Sequence, residues 1–183
     1  MNTVQPIREL SDINRMKEAL TNDRDRLLFI IGINSGLRVS DILRLKVGDV
    51  RNKTYITVRE KKTGKSRQFA INQSIRYAVE TLIPLDCDDN DYLFPSRKGR
   101  APISRVTAYR ILNEAAEATG LIAKYGPIGC HSLRKTMGYH AYKNGVDLTL
   151  IQSILNHASQ RETLRYIGIT QAQVDDVFMA INL

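Results

Sequence analysis

The distribution of apolar and polar residues along the chain predicts a mainly helical protein. In several segments apolar side chains recur every three or four residues, for example Leu27 and Ile31, which places them on one face of a helix. Asn72 and Ser40 can cap helix starts, and Pro84 can stop the helix that Asn72 begins. The predicted helices cover residues 11–20, 23–35, 40–45, 72–83, 104–120, 131–144, 147–155 and 170–183.

A short β-hairpin interrupts the helical pattern. Tyr55–Arg59 alternates between polar and apolar residues as a half-buried strand does, and residues 68–71 can pair back on it. The link between them, residues 60–67, is a basic hairpin tip. The sequence therefore predicts an α+β fold that is mostly helical and contains a small antiparallel sheet.

Size and charge narrow the range of functions. The chain has 183 residues, 43% of them hydrophobic, which is enough for one substantial core and predicts a single domain, residues 1–183. Lys and Arg number 27 against 19 Asp and Glu, a net charge of +8. An excess of this kind favours a polyanionic partner, although it also serves solubility. The charge is uneven, with basic clusters at residues 61–67 and 97–100 and an acidic loop at residues 86–91.

The cysteines and the hydrophobic runs exclude several other classes. Cys87 and Cys130 form neither a disulfide framework nor a pair with metal-ligand spacing, and no secretory segment is evident, so a cytoplasmic location is expected. A zinc site built from Cys130 and the three histidines lacks paired ligand spacing. The longest apolar run is far shorter than the ~20 residues of a membrane span.

Two of the three histidines stand next to features that suggest phosphate chemistry. His131 and Arg134 are three residues apart, so both can address one small anion from a single helix face. Taken alone, such a pair is more often structural than functional. His157 is the second informative histidine, whereas His140 has no such context and is expected to be a surface or packing residue.

Several further motifs, in a characteristic order, support a functional role for the pair of His131 and Arg134. Together with their neighbouring residues they resemble the tyrosine recombinase (phage integrase) family over essentially the whole chain. The resemblance implies the catalytic core of DNA breaking-rejoining enzymes. The matching segments are Ser35-Gly36-Leu37-Arg38-Val39-Ser40-Asp41-Ile42-Leu43, Lys62-Thr63-Gly64-Lys65, His131-Ser132-Leu133-Arg134-Lys135-Thr136, Leu155-Asn156-His157 and Thr163-Leu164-Arg165-Tyr166.

The resemblance implies a nucleophile and a proton acceptor. Tyr166 would attack a DNA phosphodiester to form a 3′-phosphotyrosyl link and release a 5′-hydroxyl. With a pKa of ~10, free tyrosine is only about one part in a thousand ionised at neutral pH, so it must be activated. His131 would act as the general base, because imidazole exchanges protons near neutrality.

The resemblance also implies how the phosphate and the leaving group are handled. Arg38 and Arg134 would bind the non-bridging oxygens, and His157 would hydrogen-bond the scissile phosphate. Lys62 would protonate the departing 5′-oxygen, with its neighbours Lys61 and Lys65 as rivals for that role. For all three lysines the alternative is simple affinity for the DNA backbone.

Further residues are assigned supporting roles. Asp41 matches the acidic residue that supports the site behind the first arginine, and helix capping is its alternative role. The expected DNA-binding residues are Lys61, Lys65, Arg67 and Lys135. We expect double-stranded DNA as the partner, with the protein assembling on it as a homo-oligomer, a tetramer. No metal, nucleotide, redox cofactor, small-molecule substrate or membrane is implied.

The chain departs from the family pattern in two respects. Asn156 stands where the family usually has glycine before the second histidine, and asparagine also tolerates a left-handed backbone. The expected N-terminal core-binding domain is absent, so the chain is either a fragment or similar to short fimbrial phase-switch recombinases. Residues 174–183 are apolar at helical spacing, and they could pack on their own domain or on a neighbouring protomer.

These observations predict a site-specific DNA recombinase or integrase that cleaves and rejoins strands through a covalent 3′-phosphotyrosine intermediate. A mobile-element integrase is the first choice, and a phase-switch invertase is the alternative within the class. A non-catalytic DNA-binding regulator with the same fold is the alternative outside it, but every expected catalytic position is filled. An RNA-binding protein would need stacked aromatic residues on a sheet, whereas this chain has no Trp and scattered Tyr.

Overall fold

The computed structural model describes residues 4–59, 64, 66–97, 101–169 and 179. Within these residues the fold is α+β and mostly helical, as predicted. In chain order its elements are α1 (Leu10–Ala19), α2 (Asp23–Ser35), α3 (Val39–Ile42), a 3-10 turn (Val47–Asp49), β1 (Tyr55–Arg59), β2 (Ser66–Ala70), α4 (Gln73–Leu82), α5 (Arg105–Ala118), α6 (Leu121–Tyr125), α7 (Cys130–Lys143), α8 (Leu148–Leu155) and α9 (Gln160–Ile167).

The two strands form the predicted antiparallel hairpin. Tyr55 pairs with Ala70 at one end and Arg59 with Ser66 at the other, so β2 begins two residues before the predicted start. Residues alternate in burial along β1, with Ile56 inside the core. Most of the predicted basic tip, residues 60–63 and 65, lies outside the described residues.

Helix α7 is packed centrally, against α2 on one side and against α8 and α9 on the other. Leu133 joins the main core cluster together with residues of α2 such as Phe29 and Ile31. A smaller cluster formed by Tyr139, Ile151, Leu155 and Ile167 joins α7, α8 and α9. Because α7 also begins at the His131 motif, its packing positions the chemistry described below.

Local sequence signals predicted some of the helix boundaries correctly but not others. Asn72 accepts a hydrogen bond from the Ile75 amide and caps α4, as predicted. The prediction for Ser40 was wrong, because α3 starts at Val39 with Arg38 in the capping position. Helices α6 and α9 were not predicted, and the predicted helix at residues 170–183 falls almost wholly outside the described residues. None of the helices in the described ranges is long and apolar enough to cross a membrane.

Candidate active site

Five of the six predicted catalytic residues lie in the described part of the chain. They belong to four segments, which the fold brings together. They come from the turn between α2 and α3, the first turn of α7, the loop after α8, and α9. Direct contacts link these segments. The five residues are Arg38, His131, Arg134, His157 and Tyr166.

Arg134 connects the segments. Its side chain is buried, and its guanidinium donates hydrogen bonds to the backbone carbonyls of Gly36 and Leu155. These carbonyls lie two residues before Arg38 and His157, respectively. A guanidinium has five N–H donors in a fixed plane, so one side chain can bind two backbone segments and still address a ligand. Arg134 thus fixes the turn that carries Arg38 and the loop that carries His157.

Gly36 makes this arrangement sterically possible. Its φ of 63° lies in the left-handed region, where side chains are disfavoured. A Cβ atom at this position would also clash with the Cε atom of Met137 on α7. The turn before Arg38 can therefore lie directly against α7. Arg38 itself is half-buried at the start of α3.

The predicted nucleophile and base are neighbours. The Tyr166 hydroxyl lies 3.4 Å from Nδ1 of His131, which is within the looser range seen before substrate binds. Burial raises the pKa of Tyr166, while a hydrogen bond and the positive charge of Arg134, together with the charge of Arg38, act to lower it. The net rise means that the tyrosine requires a base.

The surroundings of His131 suit it to that role. Desolvation lowers its pKa, and so do the positive charges of Arg105, Arg134, Lys135 and Arg38. A lowered pKa keeps the imidazole neutral at neutral pH, so that it can accept a proton. Sequence reasoning missed Arg105, whose only signal was its place among the basic residues of α5.

His157 also contacts the ring of Tyr166. The two ring centroids are 4.7 Å apart in an edge-to-face arrangement, and Nδ1 of His157 lies 3.1 Å from the Thr163 hydroxyl. Asn156, which precedes it, has φ 50° and ψ 51°, and this confirms the expected left-handed backbone. Desolvation lowers the pKa of His157, helped by Arg134 and Arg38 and opposed by Glu162.

The remaining predicted residues have varied positions. Lys135 is buried, its pKa is lowered by desolvation, and its amine lies 5.1 Å from the centre of the Tyr166 ring rather than on an open surface. Asp41 is buried in α3. Arg67 donates hydrogen bonds of 3.0 and 3.2 Å to the carbonyls of Ser153 and Ile154, which ties β2 to the end of α8. The structure does not describe Lys61, Lys62 and Lys65.

His140 is confirmed as a packing residue, because its Nε2 lies 3.0 Å from the carbonyl of Ile7. Within the described ranges there is no group of three or more His, Cys, Asp or Glu side chains that could bind a metal ion. The described side chains of the site are two guanidiniums, two imidazoles and a phenol, which are suited to a phosphate group and to proton transfer.

Comparison with known proteins places this geometry in context. Residues 7–173 match the group described as the phage integrase family. The chain is 49% identical over 173 residues to the probable integrase/recombinase YoeC of Bacillus subtilis, covering 93% of each protein. It is 32% identical to the tyrosine recombinase XerA of Pyrococcus furiosus, covering 94% of this chain and 60% of XerA.

A third relative and a solved structure extend the comparison. The type 1 fimbriae regulatory protein FimE of Escherichia coli is 32% identical over 169 residues, with 89% of this chain and 83% of FimE covered. The crystal structure of XerA recombinase superimposes with a TM-score of 0.78 at 26% identity, covering 97% of this chain and 66% of the XerA chain. The chain thus spans nearly all of YoeC but less than two thirds of the XerA of Pyrococcus furiosus.

Proposed function

Because the chain belongs to the phage integrase family of tyrosine recombinases, we propose that Tyr166 cleaves and rejoins DNA strands through a covalent 3′-phosphotyrosine link. One observation carries the assignment: the Tyr166 hydroxyl lies 3.4 Å from His131, on the α7 face that also carries Arg134. A phenol placed between a neutral imidazole and a guanidinium is equipped to become a phosphate nucleophile.

The first step transfers a DNA phosphoryl group from the 5′-oxygen to the oxygen of Tyr166. The Tyr166 oxygen attacks phosphorus while His131 accepts its proton, and the bond to the 5′-oxygen breaks. The leaving oxygen takes a proton from a general acid and departs as a 5′-hydroxyl. Attack by the 5′-hydroxyl of another strand reverses the step and frees the tyrosine. The phosphotyrosyl ester conserves the bond, so no external energy source is required.

Arg38, Arg134 and His157 would stabilise the phosphate during this transfer. Their charges meet the negative charge that accumulates on the non-bridging oxygens, and a single preorganised donor is worth ~3 kcal/mol in comparable sites. Arg134 is well suited because its guanidinium is already oriented by two backbone carbonyls. Little reorganisation is then needed when the phosphate arrives. Asp41 would support Arg38 from within α3.

Lys62 is the proposed general acid, with Lys61 and Lys65 as alternatives. What supports this is the position of the hairpin that carries these lysines. Arg67 ties its second strand to the last turn of α8, directly before Asn156 and His157. This contact holds β2 next to the loop that carries His157, which supports a role for the hairpin at the site.

Double-stranded DNA is the proposed substrate, and a tetramer is the proposed active assembly. The net charge of +8 favours a polyanion. Each protomer contributes one Tyr166, and exchange between two duplexes breaks four strands, so four protomers supply one nucleophile per strand. In this proposal residues 1–183 act as a single catalytic domain. Both cysteines are free thiols, which supports a reducing location such as the cytoplasm.

The biological direction of the reaction has two candidates. Similarity to the probable integrase/recombinase YoeC favours integration or excision of a mobile element. Similarity to FimE, a fimbriae regulatory protein, favours inversion of a regulatory DNA segment as the second candidate. Both outcomes use the same chemistry and differ in the arrangement of the target sites.

Trapping of the covalent intermediate tests the proposed function. The protein is incubated with DNA from the flanks of its own gene, nicked near the cleavage site so that the short 5′-hydroxyl fragment diffuses away and rejoining fails. We expect an SDS-resistant protein–DNA adduct that Tyr166→Phe abolishes without weakening DNA binding. Tyr77→Phe, a change on an exposed side chain of α4, is the matched control and should form the adduct normally. An adduct that survives in Tyr166→Phe would disprove the assignment.

A further inference from the structure

His157 is bound on one edge by a residue that the proposed mechanism does not use. Its Nδ1 atom lies 3.1 Å from the hydroxyl oxygen of Thr163, which is fully buried in the first turns of α9. The same hydroxyl lies 3.1 Å from the backbone carbonyl of Ser159, four residues earlier. The threonine oxygen therefore stands between a carbonyl and an imidazole nitrogen.

The direction of these two hydrogen bonds follows from the number of hydrogens. The Ser159 carbonyl can only accept, and it receives both the amide and the hydroxyl hydrogen of Thr163, as is common for threonine in helices. With its hydrogen directed there, the hydroxyl oxygen offers lone pairs to His157. Nδ1 of His157 then supplies the hydrogen of that contact. In neutral imidazole the second nitrogen, Nε2, then carries no hydrogen.

We propose that Thr163 is a positioning residue that fixes the His157 ring with its proton on Nδ1 and leaves Nε2 as the nitrogen available to the active site. The assignment concerns a residue of α9, three positions before Tyr166. It also explains why a polar side chain with no exposed surface lies at this point. A hydrogen bond to the distal nitrogen of a functional histidine is a general way of selecting a tautomer.

The assignment has a consequence for the reaction, and this part rests on the proposed function. With Nδ1–H directed at Thr163, His157 can donate to a phosphate oxygen through Nε2 only as the imidazolium. Phosphate binding should then be accompanied by proton uptake. The charged and titratable groups around the ring are Glu162 and Tyr166 on α9, Arg134 on α7, and Arg38 before α3. An anionic phosphate would offset the two arginines and favour the charged ring.

The tautomer can be measured directly, without DNA. The protein is labelled with 15N-histidine and its ring nitrogens are recorded by long-range 1H–15N correlation at a pH where the histidines are neutral. Only three histidines are present, so His131→Gln and His140→Gln assign the spectrum. We expect His157 to carry its proton on Nδ1. A spectrum with the proton on Nε2 would overturn the proposal.

Substitution of Thr163 tests its causal role. Thr163→Val keeps the shape and removes the hydroxyl, so His157 should change to the Nε2–H form or to a mixture, whereas Thr163→Ser should keep the proton on Nδ1. An unchanged Thr163→Val spectrum would refute the role of Thr163. The His140 signal, which reports the contact with Ile7, verifies that each variant is folded. If Thr163→Val does not fold, the wild-type and Thr163→Ser spectra still decide.

A kinetic readout separates positioning from simple structural support. Adduct formation is measured at saturating nicked DNA at pH 6.5 and pH 8.5, a range above the ordinary histidine pKa of about 6.5 in which a ring kept charged by bound phosphate loses its proton. From pH 6.5 to pH 8.5 the wild-type rate should decline by a larger factor than the Thr163→Val rate. In Thr163→Val the His157 ring is no longer held by the hydroxyl, so only there can a neutral ring donate through Nε2–H. Equal ratios would contradict the proton uptake. A lost adduct in wild-type protein would refute the proposed function instead, and the NMR result would stand.

Discussion

At the residue scale, His131 and Arg134 share a helix face but have very different surroundings. His131 is exposed beside the Tyr166 hydroxyl, whereas Arg134 is buried and bound to two backbone carbonyls. The spacing of the pair was compatible with a common ligand, but it contained no information on the carbonyl partners. Those partners are 98 and 21 residues away in sequence. A substitution of Arg134 is therefore expected to affect both its carbonyl contacts and its proposed role at the phosphate.

Arg134→Lys tests this combination. Lysine keeps the charge but has a single ammonium group, which cannot bind both carbonyls and a phosphate in one plane. We expect adduct formation to fall by about 100- to 1000-fold, the range seen when one preorganised donor is removed. Arg110→Lys, on the exposed face of α5, should react normally. A loss below about tenfold would show that Arg134 does not bind the phosphate in the transition state.

The pH dependence of cleavage is a second prediction at this scale. His131 must be neutral to accept the tyrosine proton, and its pKa is below the usual value of about 6.5. Protonation of His131 should therefore not limit cleavage near pH 7. The cleavage rate should decline as the pH falls through the lowered pKa of His131.

Removing one nearby cation should move that decline. Arg105→Gln raises the pKa of His131 towards its usual value, because one of the charges that lower it is lost. The acid limb of the single-turnover rate, measured at saturating DNA, should shift to higher pH. Arg110→Gln provides the control on the same helix. An acid limb that does not move would mean that Arg105 does not act on His131 or that another group titrates.

At the element scale, α9 packs closely against α7 at a glycine, Gly138. A Cβ atom at Gly138 would lie 2.7 Å from Cγ2 of Ile167 and 3.2 Å from Cδ1 of Leu155. Gly138→Ala should therefore displace α9, although alanine favours a helix by ~1 kcal/mol over glycine. We expect overpacking to outweigh this gain and to lower the free energy of unfolding by ~1–3 kcal/mol.

The displacement should also slow adduct formation, because Tyr166 is one residue before Ile167. Chemical denaturation and single-turnover cleavage measure the two effects on the same variant. An increase in the free energy of unfolding together with normal cleavage would contradict the predicted overpacking between α7 and α9.

The helices that sequence reasoning found have local signals, and one helix with such a signal was missed. Long helices with periodic apolar faces or side-chain caps, such as α4 with Asn72, could be predicted because their signals are local. Helix α9 has eight residues and was missed, although Ser159 caps it by accepting from the Glu162 amide. The Ser-x-x-Glu spacing was a readable signal. The contact between His157 and Thr163 could not be read in the same way, because it depends on how the loop after α8 folds back on α9.

At the scale of the whole molecule, charge determines how the protein meets its substrate. A net charge of +8 favours binding to any duplex through release of counterions. Binding should then weaken steeply with salt, with a slope of log K against log salt of about −0.9 for each phosphate neutralised. Lys61→Gln and Lys65→Gln should each reduce that slope by about one if these side chains contact phosphates.

Comparison of binding with cleavage separates affinity from chemistry among the lysines of the hairpin. A lysine that only binds the backbone should affect the salt slope, and its effect on cleavage should disappear at saturating DNA. A lysine that protonates the 5′-oxygen should slow cleavage at saturation, and a substrate with sulfur at that bridging position should restore the rate, because a thiolate leaves without protonation. We expect Lys62→Ala to show this rescue and Lys61→Ala and Lys65→Ala to lack it. Rescue of a neighbour instead would transfer the role of general acid to that residue while leaving Tyr166 as the nucleophile.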